Sequence, residues 1–148
     1  MPIPALNTDG LLPAGIYDCT LPELRERFGK FQGSDQRARL LNRLEELVEA
    51  MRASGLFEAI LVDGSFVTAK AAPNDVDLVA VLLPGHNFER DLPISEYALV
   101  SRAMLRRRYG FDVLVAERGS RLNETYVEFF SLVRDNPDVR KGLLRLRL

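Results

Sequence analysis

Two aspartates at alternate positions open an apolar segment near the middle of the chain. Asp75 and Asp77 flank Val76, and residues 78–82 that follow are all apolar. In a strand, alternate side chains point to the same face of the sheet, so both carboxylates would leave it together. Two anionic groups in that arrangement repel each other unless a cation lies between them. Mg²⁺ takes one or two carboxylates together with water and phosphate oxygens, so the pair predicts a site for Mg²⁺ or Mn²⁺.

A Gly-Ser pair precedes the aspartates, at the end of an apolar run. Gly64 allows a sharp turn and the close approach of a ligand, because it has no Cβ. The hydroxyl of Ser65 and the neighbouring amides can donate to phosphate oxygens. Either feature alone also fits a simpler interpretation, a plain turn or solvated carboxylates at the start of a strand. Together they favour a site for a nucleoside triphosphate and a metal ion.

The spacing of these residues resembles the signature of the DNA polymerase β-like nucleotidyltransferases, especially the minimal members. That signature begins with an apolar residue, followed by Gly and then by either Gly or Ser. After a spacer of roughly ten residues come Asp, an apolar residue, and Asp or Glu. A second resemblance covers most of the chain, through residues 12–28, 63–70, 73–77 and the pair Lys141-Gly142. It is to a family of small bacterial and phage proteins described as a domain of unknown function related to nucleotidyltransferases. This resemblance implies the fold and a site, but no defined substrate.

The resemblance also implies roles for individual residues. A third carboxylate from a neighbouring strand shares the metal and acts as the general base, and Asp112 fits that description. Many minimal members carry an Arg shortly after Gly-Ser, where this chain offers Lys70. Asp112 could instead be an exposed edge residue or an ion-pair partner of residues 106–108, Lys70 an exposed loop lysine, and Asp63 either a fourth acid or a turn cap. The predicted catalytic and metal-binding residues are Asp75, Asp77 and Asp112, and the predicted nucleotide-binding residues are Gly64, Ser65 and Lys70.

The activity implied is transfer of a nucleoside monophosphate from a nucleoside triphosphate to a hydroxyl acceptor, with pyrophosphate as product. A protein side chain, an RNA 3′ end and a small molecule all remain open as acceptor. Analogy with minimal nucleotidyltransferases suggests a toxin–antitoxin or phage-defence setting. The alternative is a non-catalytic module of the same fold that binds a nucleotide or a partner. Because the chain is short, a protein partner or a homodimer would supply what a second domain provides elsewhere.

Composition sets limits on the class of protein. The 148 residues are 47% hydrophobic and 28% charged, which is typical of a globular domain. With a net charge of −1, binding of nucleic acid would need a local basic surface, such as residues 106–108 or Lys141 with Arg145 and Arg147. The single cysteine, Cys19, allows neither an intramolecular disulfide nor a cysteine metal cluster. No apolar run reaches the length of a membrane span, and a cytoplasmic protein is expected.

Local patterns predict an α/β (α+β) fold, a small mixed β-sheet packed by helices. Residues 1–19 are expected to be an irregular N-terminal arm, and residues 20–148 a single nucleotidyltransferase-like domain. A capping box at Thr20 begins a helix that ends near Phe28, and Ser34 or Asp35 begins another that Gly55 ends. Further helices are predicted over 94–109 and from 123 to about 135. Strands are predicted at 57–62, 76–83 and 111–116, with a half-exposed edge strand at 144–148.

Overall fold

The computed structural model describes residues 3–30, 34–85, 91–133 and 136–148. Within these ranges the fold is α+β, a mixed five-stranded sheet packed by helices, so the predicted fold class is confirmed. The strands are β1 (Ile16–Cys19), β2 (Phe57–Asp63), β3 (Asp77–Leu82), β4 (Asp112–Glu117), β5 (Leu132–Val133), β6 (Asn136–Arg140) and β7 (Leu143–Arg147). The helices are α1 (Leu21–Phe28), α2 (Gln36–Ser54), α3 (Ile94–Val100), α4 (Arg102–Tyr109) and α5 (Arg121–Ser131), with a 3₁₀ turn at Ser65–Val67.

The order of the strands in the main sheet is β1-β7-β2-β3-β4. β1 runs parallel to β7 and β3 runs parallel to β4, whereas β2 is antiparallel to both of its neighbours. β5 and β6 form a separate two-stranded ribbon. The parallel pair β3–β4 aligns the first residues of both strands at one edge of the sheet, next to the last residue of β2.

Both faces of β2 and β3 are buried, which explains why these strands are continuously apolar. Alternate residues of the two strands belong to two hydrophobic clusters. One cluster contains Ile60 and Leu78 and packs against the leucines of α2. The other contains Leu61 and Val79 together with Phe130 of α5. Asp63 and Asp77 continue the second series, so their side chains lie on the face of the sheet that α5 covers.

Local signals place the first two helices correctly. The predicted capping box is present, since the amide of Glu23 donates to Thr20 Oγ1 at 3.2 Å and the Glu23 carboxylate accepts from the Thr20 amide at 3.1 Å. α2 begins after Asp35 and ends at Gly55, as predicted.

Two predicted helices have different limits. The helix expected over residues 94–109 is interrupted at Ser101, whose extended backbone separates α3 from α4 and whose hydroxyl accepts from the Met104 amide at 3.4 Å. A serine side chain competes for backbone donors in this way and so ends or begins helices. The helix expected from residue 123 begins at Arg121, because Ser120 caps it, and it ends at Ser131. Residues 134–135 of that expectation lie outside the described residues.

The N-terminal residues 16–19 and the C-terminal strand pair with each other, so two predictions about them are wrong. Ile16–Cys19 is not irregular but forms β1, which pairs in register with β7. β7 is therefore an interior strand between β1 and β2, not the predicted edge strand. The alternation of leucine and arginine identified a strand with one polar face, but the strand that covers its edge comes from the other end of the chain. No helix among the described residues is long and apolar enough to cross a membrane.

Candidate functional site

Three carboxylates lie side by side at one edge of the sheet. Asp63 is the register partner of Asp77 in the antiparallel pair β2–β3, and Asp77 is the register partner of Asp112 in the parallel pair β3–β4. Cross-strand partners project from the same face, so the register places these three acids in a row across one face of the sheet. Asp75 lies two residues before Asp77 and precedes β3 rather than opening it. The prediction that Asp75 and Asp77 both lie in a strand is thus right only for Asp77.

Asp63, Asp75 and Asp77 form one wall of a cleft with a volume of about 590 Å³, within the usual range for small-molecule sites. The end of α5 and strand β5 form an apolar wall. Neither Asp112 nor Lys70 is among the lining residues. The residues that line the cleft are Asp63, Gly64, Ser65, Thr68, Asp75, Asp77, Phe129, Phe130, Leu132, Val133 and Lys141.

The turn after β2 depends on glycine because two chain segments approach each other closely there. Gly64 has φ of 89° and ψ of −177°, a conformation that L side chains rarely adopt. A Cβ at this position would lie 2.8 Å from the carbonyl oxygen of Asp75 and 3.0 Å from the amide nitrogen of Asp77. Any side chain would therefore separate the end of β2 from the segment that carries the two aspartates.

The donors of the predicted phosphate cradle bind Asp75 in this structure. The amide of Ser65 donates to Asp75 Oδ1 at 3.2 Å, and the Ser65 hydroxyl makes a short hydrogen bond to the same oxygen. Ser65 Oγ in turn accepts from the amides of Asn74 and Asp75 at 3.2 and 3.3 Å. The Gly64-Ser65 turn thus holds the aspartate segment in place. A phosphate oxygen would reach the Ser65 donors by replacing the Asp75 carboxylate.

The pKa of Asp77 is raised by both burial and repulsion. Burial and the neighbouring carboxylates of Asp75 and Asp63, with a smaller contribution from Asp112, raise the pKa of Asp77 to about 6. Burial alone would also raise the pKa of Asp75, but the hydrogen bonds from Ser65, with smaller contributions from Asp77 and Lys141, hold it below its ordinary value. Asp75 therefore ionises more readily than Asp77. A cation next to both carboxylates would relieve the repulsion between them.

Asp63 has a cationic partner that the sequence did not reveal. Its side chain is only 4% exposed, and Oδ1 lies 3.1 Å from Lys141 Nζ. Burial raises the pKa of Asp63, and the Lys141 ammonium opposes that effect. The sequence offered one signal, since Lys141-Gly142 is part of the resemblance to the small family, but nothing local indicated which carboxylate the lysine meets.

Asp112 is engaged outside the cleft. Arg102 binds it through two hydrogen bonds, Nε to Oδ1 at 2.7 Å and Nη2 to Oδ2 at 2.9 Å. The sequence left open an ion pair with residues 106–108, and the observed partner is another arginine of the same helix. Within the described ranges no three His, Cys, Asp or Glu side chains are grouped closely enough to hold a metal ion. The structure aligns Asp112 with Asp77 in the sheet, but it does not gather the predicted metal-binding residues into a three-carboxylate set.

A buried arginine that sequence reasoning missed supports the loop after Ser65. Arg37 of α2 is 1% exposed, and its guanidinium lies near the rings of both Phe28 and Phe66, 5.7 and 5.5 Å from their centroids. It donates to the carbonyl oxygens of Phe28, Phe66 and Thr68 at 2.6–3.1 Å, and it makes a short contact with that of Lys70. Lys70 thus contributes its backbone to this arrangement.

Comparison with known proteins assigns the chain to a family. Residues 4–147 match the model of a family of unknown function, DUF6932, and the chain belongs to that family. No curated protein and no solved structure shows significant similarity to the chain. The match agrees with the resemblance to a small family of unknown function, whereas the relation to nucleotidyltransferases stays a prediction.

Proposed function

We propose that this protein is a Mg²⁺- or Mn²⁺-dependent nucleotidyltransferase that transfers a nucleoside monophosphate from a nucleoside triphosphate to a hydroxyl acceptor. The observation that supports this function best is the position of Asp75 and Asp77. They lie against the Gly64-Ser65 turn, in one cleft, with Asp112 in register on the next strand. Carboxylates for a cation and backbone and hydroxyl donors for phosphate oxygens are the two requirements of phosphoryl-transfer sites.

The residues present fit a divalent cation that arrives with a triphosphate. Asp75 and Asp77 are close enough for each to shift the other's pKa, and two carboxylates suffice for Mg²⁺ when phosphate oxygens and water complete its shell. Burial and the neighbouring carboxylates raise the pKa of Asp77, and a cation bound beside it would offset the repulsion between these carboxylates. A site with three protein carboxylates is not needed for binding of this kind.

Each residue would then have a defined task in the reaction. Ser65 would donate to a phosphate oxygen once the Asp75 carboxylate turns toward the cation. When bound, the cation stabilises negative charge on the attacking and leaving oxygens. Asp112, released from Arg102, would accept the proton of the acceptor hydroxyl. The acceptor oxygen forms a bond to the α-phosphorus, the bond from the α-phosphorus to the bridging oxygen breaks, and pyrophosphate leaves.

The second candidate is a non-catalytic module that binds a nucleotide or a partner protein. A specific observation favours it, since the carboxylate assigned as general base is occupied by the two hydrogen bonds from Arg102. In both cases the acceptor or partner is open, with a protein side chain, an RNA or a second copy of the chain as candidates. A toxin–antitoxin or phage-defence setting is part of this proposal, and it rests only on the resemblance to minimal nucleotidyltransferases.

Metal-dependent stability tests the site. Mg²⁺ or Mn²⁺ at millimolar concentration should raise the melting temperature, because a ligand that binds only the native state stabilises it. The double variant Asp75→Asn/Asp77→Asn should lose this gain and be at least as stable as wild type in EDTA, since it lacks the repulsion. Asp35→Asn, at an exposed carboxylate that begins α2, is the matched control and should respond like wild type. A wild-type protein that does not respond to either metal would contradict the assignment.

An assay of nucleotide transfer distinguishes the enzyme from the non-catalytic binding module. With labelled nucleoside triphosphates, Mg²⁺ and cell extract, the wild-type protein should label an acceptor and release pyrophosphate. Asp112→Asn keeps the shape of the residue and removes the proton acceptor, so turnover should fall about 100-fold or more while nucleotide affinity changes only a few-fold. Nucleotide binding without any transfer, across all four ribonucleotides, would favour the binding module.

A further inference from the structure

Lys141 is a lysine that faces the carboxylates of the cleft. It follows β6 and lines the cleft with Asp63, Asp75 and Asp77. Its side chain is 21% exposed, whereas that of its partner Asp63 is 4% exposed. Of the described residues that line the cleft, Lys141 is the only cation. The ammonium is therefore held at one end of the site by a carboxylate that is itself almost fully enclosed.

The backbone fixes the position from which this lysine projects. The Lys141 amide donates to the carbonyl oxygen of Ser131, the last residue of α5, at 2.8 Å. The Gly142 amide donates to that of Leu12 at 3.0 Å. A Cβ on Gly142 would lie 2.2 Å from the carbonyl oxygen of Pro13, so only glycine lets the chain pass here. The turn is thus tied to α5 on one side and to the N-terminal segment on the other.

The position of Lys141 allows it to do more than form a structural ion pair with Asp63. An ammonium group has three N–H donors, so the ion pair with Asp63 Oδ1 at 3.1 Å leaves donors for a further ligand. Lys141 also lines the same cleft as Ser65 and Asp75. The ammonium therefore shares the cleft with the aspartate that occupies the Ser65 donors. An anion bound at the Ser65 donors would be attracted by the Lys141 ammonium.

We propose that Lys141 binds the phosphate chain of the substrate triphosphate and that Asp63 is a positioning residue, which holds the ammonium toward the cleft. The inference rests on the proposed function and deepens it, because it assigns the phosphate-binding cation to Lys141 instead of Lys70. The side chain of Lys70 does not line the cleft. The substrate class is a polyphosphate whose charge the lysine and the divalent cation share.

The test compares the three lysines of the chain, Lys30, Lys70 and Lys141. Each is changed to Met, which keeps the length of the side chain and removes its charge. Dissociation constants are measured by calorimetry in Mg²⁺ for a non-hydrolysable nucleoside triphosphate and for inorganic tripolyphosphate, which isolates the phosphate contact. Lys141→Met should weaken binding of both probes by about 10- to 100-fold, the scale of a hydrogen bond to a charged group. Lys30, 60% exposed and paired with Glu26, is the control and should have no effect.

Two further results would overturn the inference. If Lys70→Met weakens binding of tripolyphosphate and Lys141→Met does not, the cation has been assigned wrongly. The double variant Asp63→Asn/Lys141→Met removes both charges, so it avoids the unpaired buried carboxylate that would destabilise the single variant. Its affinity should stay as low as that of Lys141→Met. Recovered affinity in the double variant would show that the unpaired Asp63 caused the loss, and Lys141 would then not be a phosphate ligand.

The failure of this inference can be told from the failure of the proposed function. A wild-type protein that binds neither probe in Mg²⁺ contradicts the function itself, and the inference with it. A wild-type protein that binds both probes, beside a Lys141→Met variant of equal affinity, contradicts only the role of Lys141. The melting-temperature gain from Mg²⁺ alone should persist in Lys141→Met, because Asp75 and Asp77 are intact.

Discussion

At the scale of single residues, the site is a place where like charges have been packed together at a cost to stability. Asp77 is register partner to two other acids and has a third, Asp75, two residues away. Lys141 offsets part of this charge at Asp63, and Arg102 offsets part of it at Asp112. Asp77 has no such cation in the described part of the chain, and its pKa rises to about 6. Carboxylates whose pKa is shifted by burial and by neighbouring charges are concentrated at functional sites.

This arrangement predicts an unusual dependence of stability on pH. The folded-state pKa of Asp77, about 6, lies above its ordinary value of 3.8. Between those values the folded chain holds a proton that the unfolded chain has released, so the free energy of unfolding should fall as pH rises from about 4 to about 6. We expect the Asp77 contribution to this fall to be roughly 1–2 kcal/mol, given about 1.4 kcal/mol for each pKa unit and partial exposure of the group.

The check is urea denaturation in EDTA across that pH range, for wild type and Asp77→Asn. The variant should show a smaller fall and be the more stable protein near pH 7. The pKa of Asp63 is also raised, so Asp63 makes stability fall with rising pH in both proteins. The pKa of Asp75 is lowered, so Asp75 affects the pH dependence of stability only below about pH 4. Parallel stability curves for wild type and variant would show that Asp77 is not strained by its neighbours.

At the scale of elements, α2 and the loop after Ser65 are joined by one guanidinium. Arg37 satisfies the carbonyl oxygens of Phe66, Thr68 and Lys70, which belong to a segment without regular hydrogen bonding beyond its 3₁₀ turn. Its hydrogen-bond acceptors among the described residues are all backbone oxygens. The residue therefore gives a loop the rigidity that a strand or helix would otherwise provide.

Replacing this guanidinium should cost much more than replacing an exposed one. Arg37→Met removes the donor from two buried and two partly buried carbonyl oxygens, at about 1–3 kcal/mol for each unsatisfied buried group, so we expect a loss of at least about 2 kcal/mol in urea denaturation. Arg37→Lys should recover little of it, because an ammonium cannot reproduce the planar fork of donors. The control is Arg39→Met, two residues along the same helix and 62% exposed, which should change stability by no more than about 0.5 kcal/mol. Equal effects of Arg37→Met and Arg39→Met would contradict the role of the buried arginine.

The elements also show which parts of the fold a sequence can predict. The capping box at Thr20, the stop at Gly55 and the strands around the aspartates depend on neighbouring residues, and their approximate positions were predictable. The pairing of Lys141 with Asp63 joins residues far apart in the chain, so no local pattern contains it. Arg37 was missed for a different reason, since arginines on helices are mostly exposed and only the tertiary structure supplies the carbonyl oxygens that bury this one.

At the scale of the whole molecule, the two ends of the chain meet and support the site. The segment before β1 contributes Ile3 and Leu12 to the main hydrophobic cluster, and its backbone accepts hydrogen bonds from Gly142 and Leu143. β1 then covers the edge of β7, which would otherwise expose unpaired backbone groups. Because Lys141 directly precedes these contacts, the N-terminal segment also helps to fix the turn that carries the lysine. The expected division into an arm and a domain does not describe this packing.

A substitution in the N-terminal segment tests whether that segment is part of the folded core. Leu12 is 1% exposed, and Leu12→Ala should destabilise the protein by about 2–4 kcal/mol, the cost of removing buried methyl groups and leaving a cavity. Ile16→Ala is the control, because Ile16 lies close by at the start of β1 but is 39% exposed, and its loss should stay below about 1 kcal/mol. Equilibrium urea denaturation gives both values. If the two substitutions cost the same small amount, the segment would be a peripheral arm, and the support it gives to β7 and to the Lys141 turn would have to come from elsewhere in the chain.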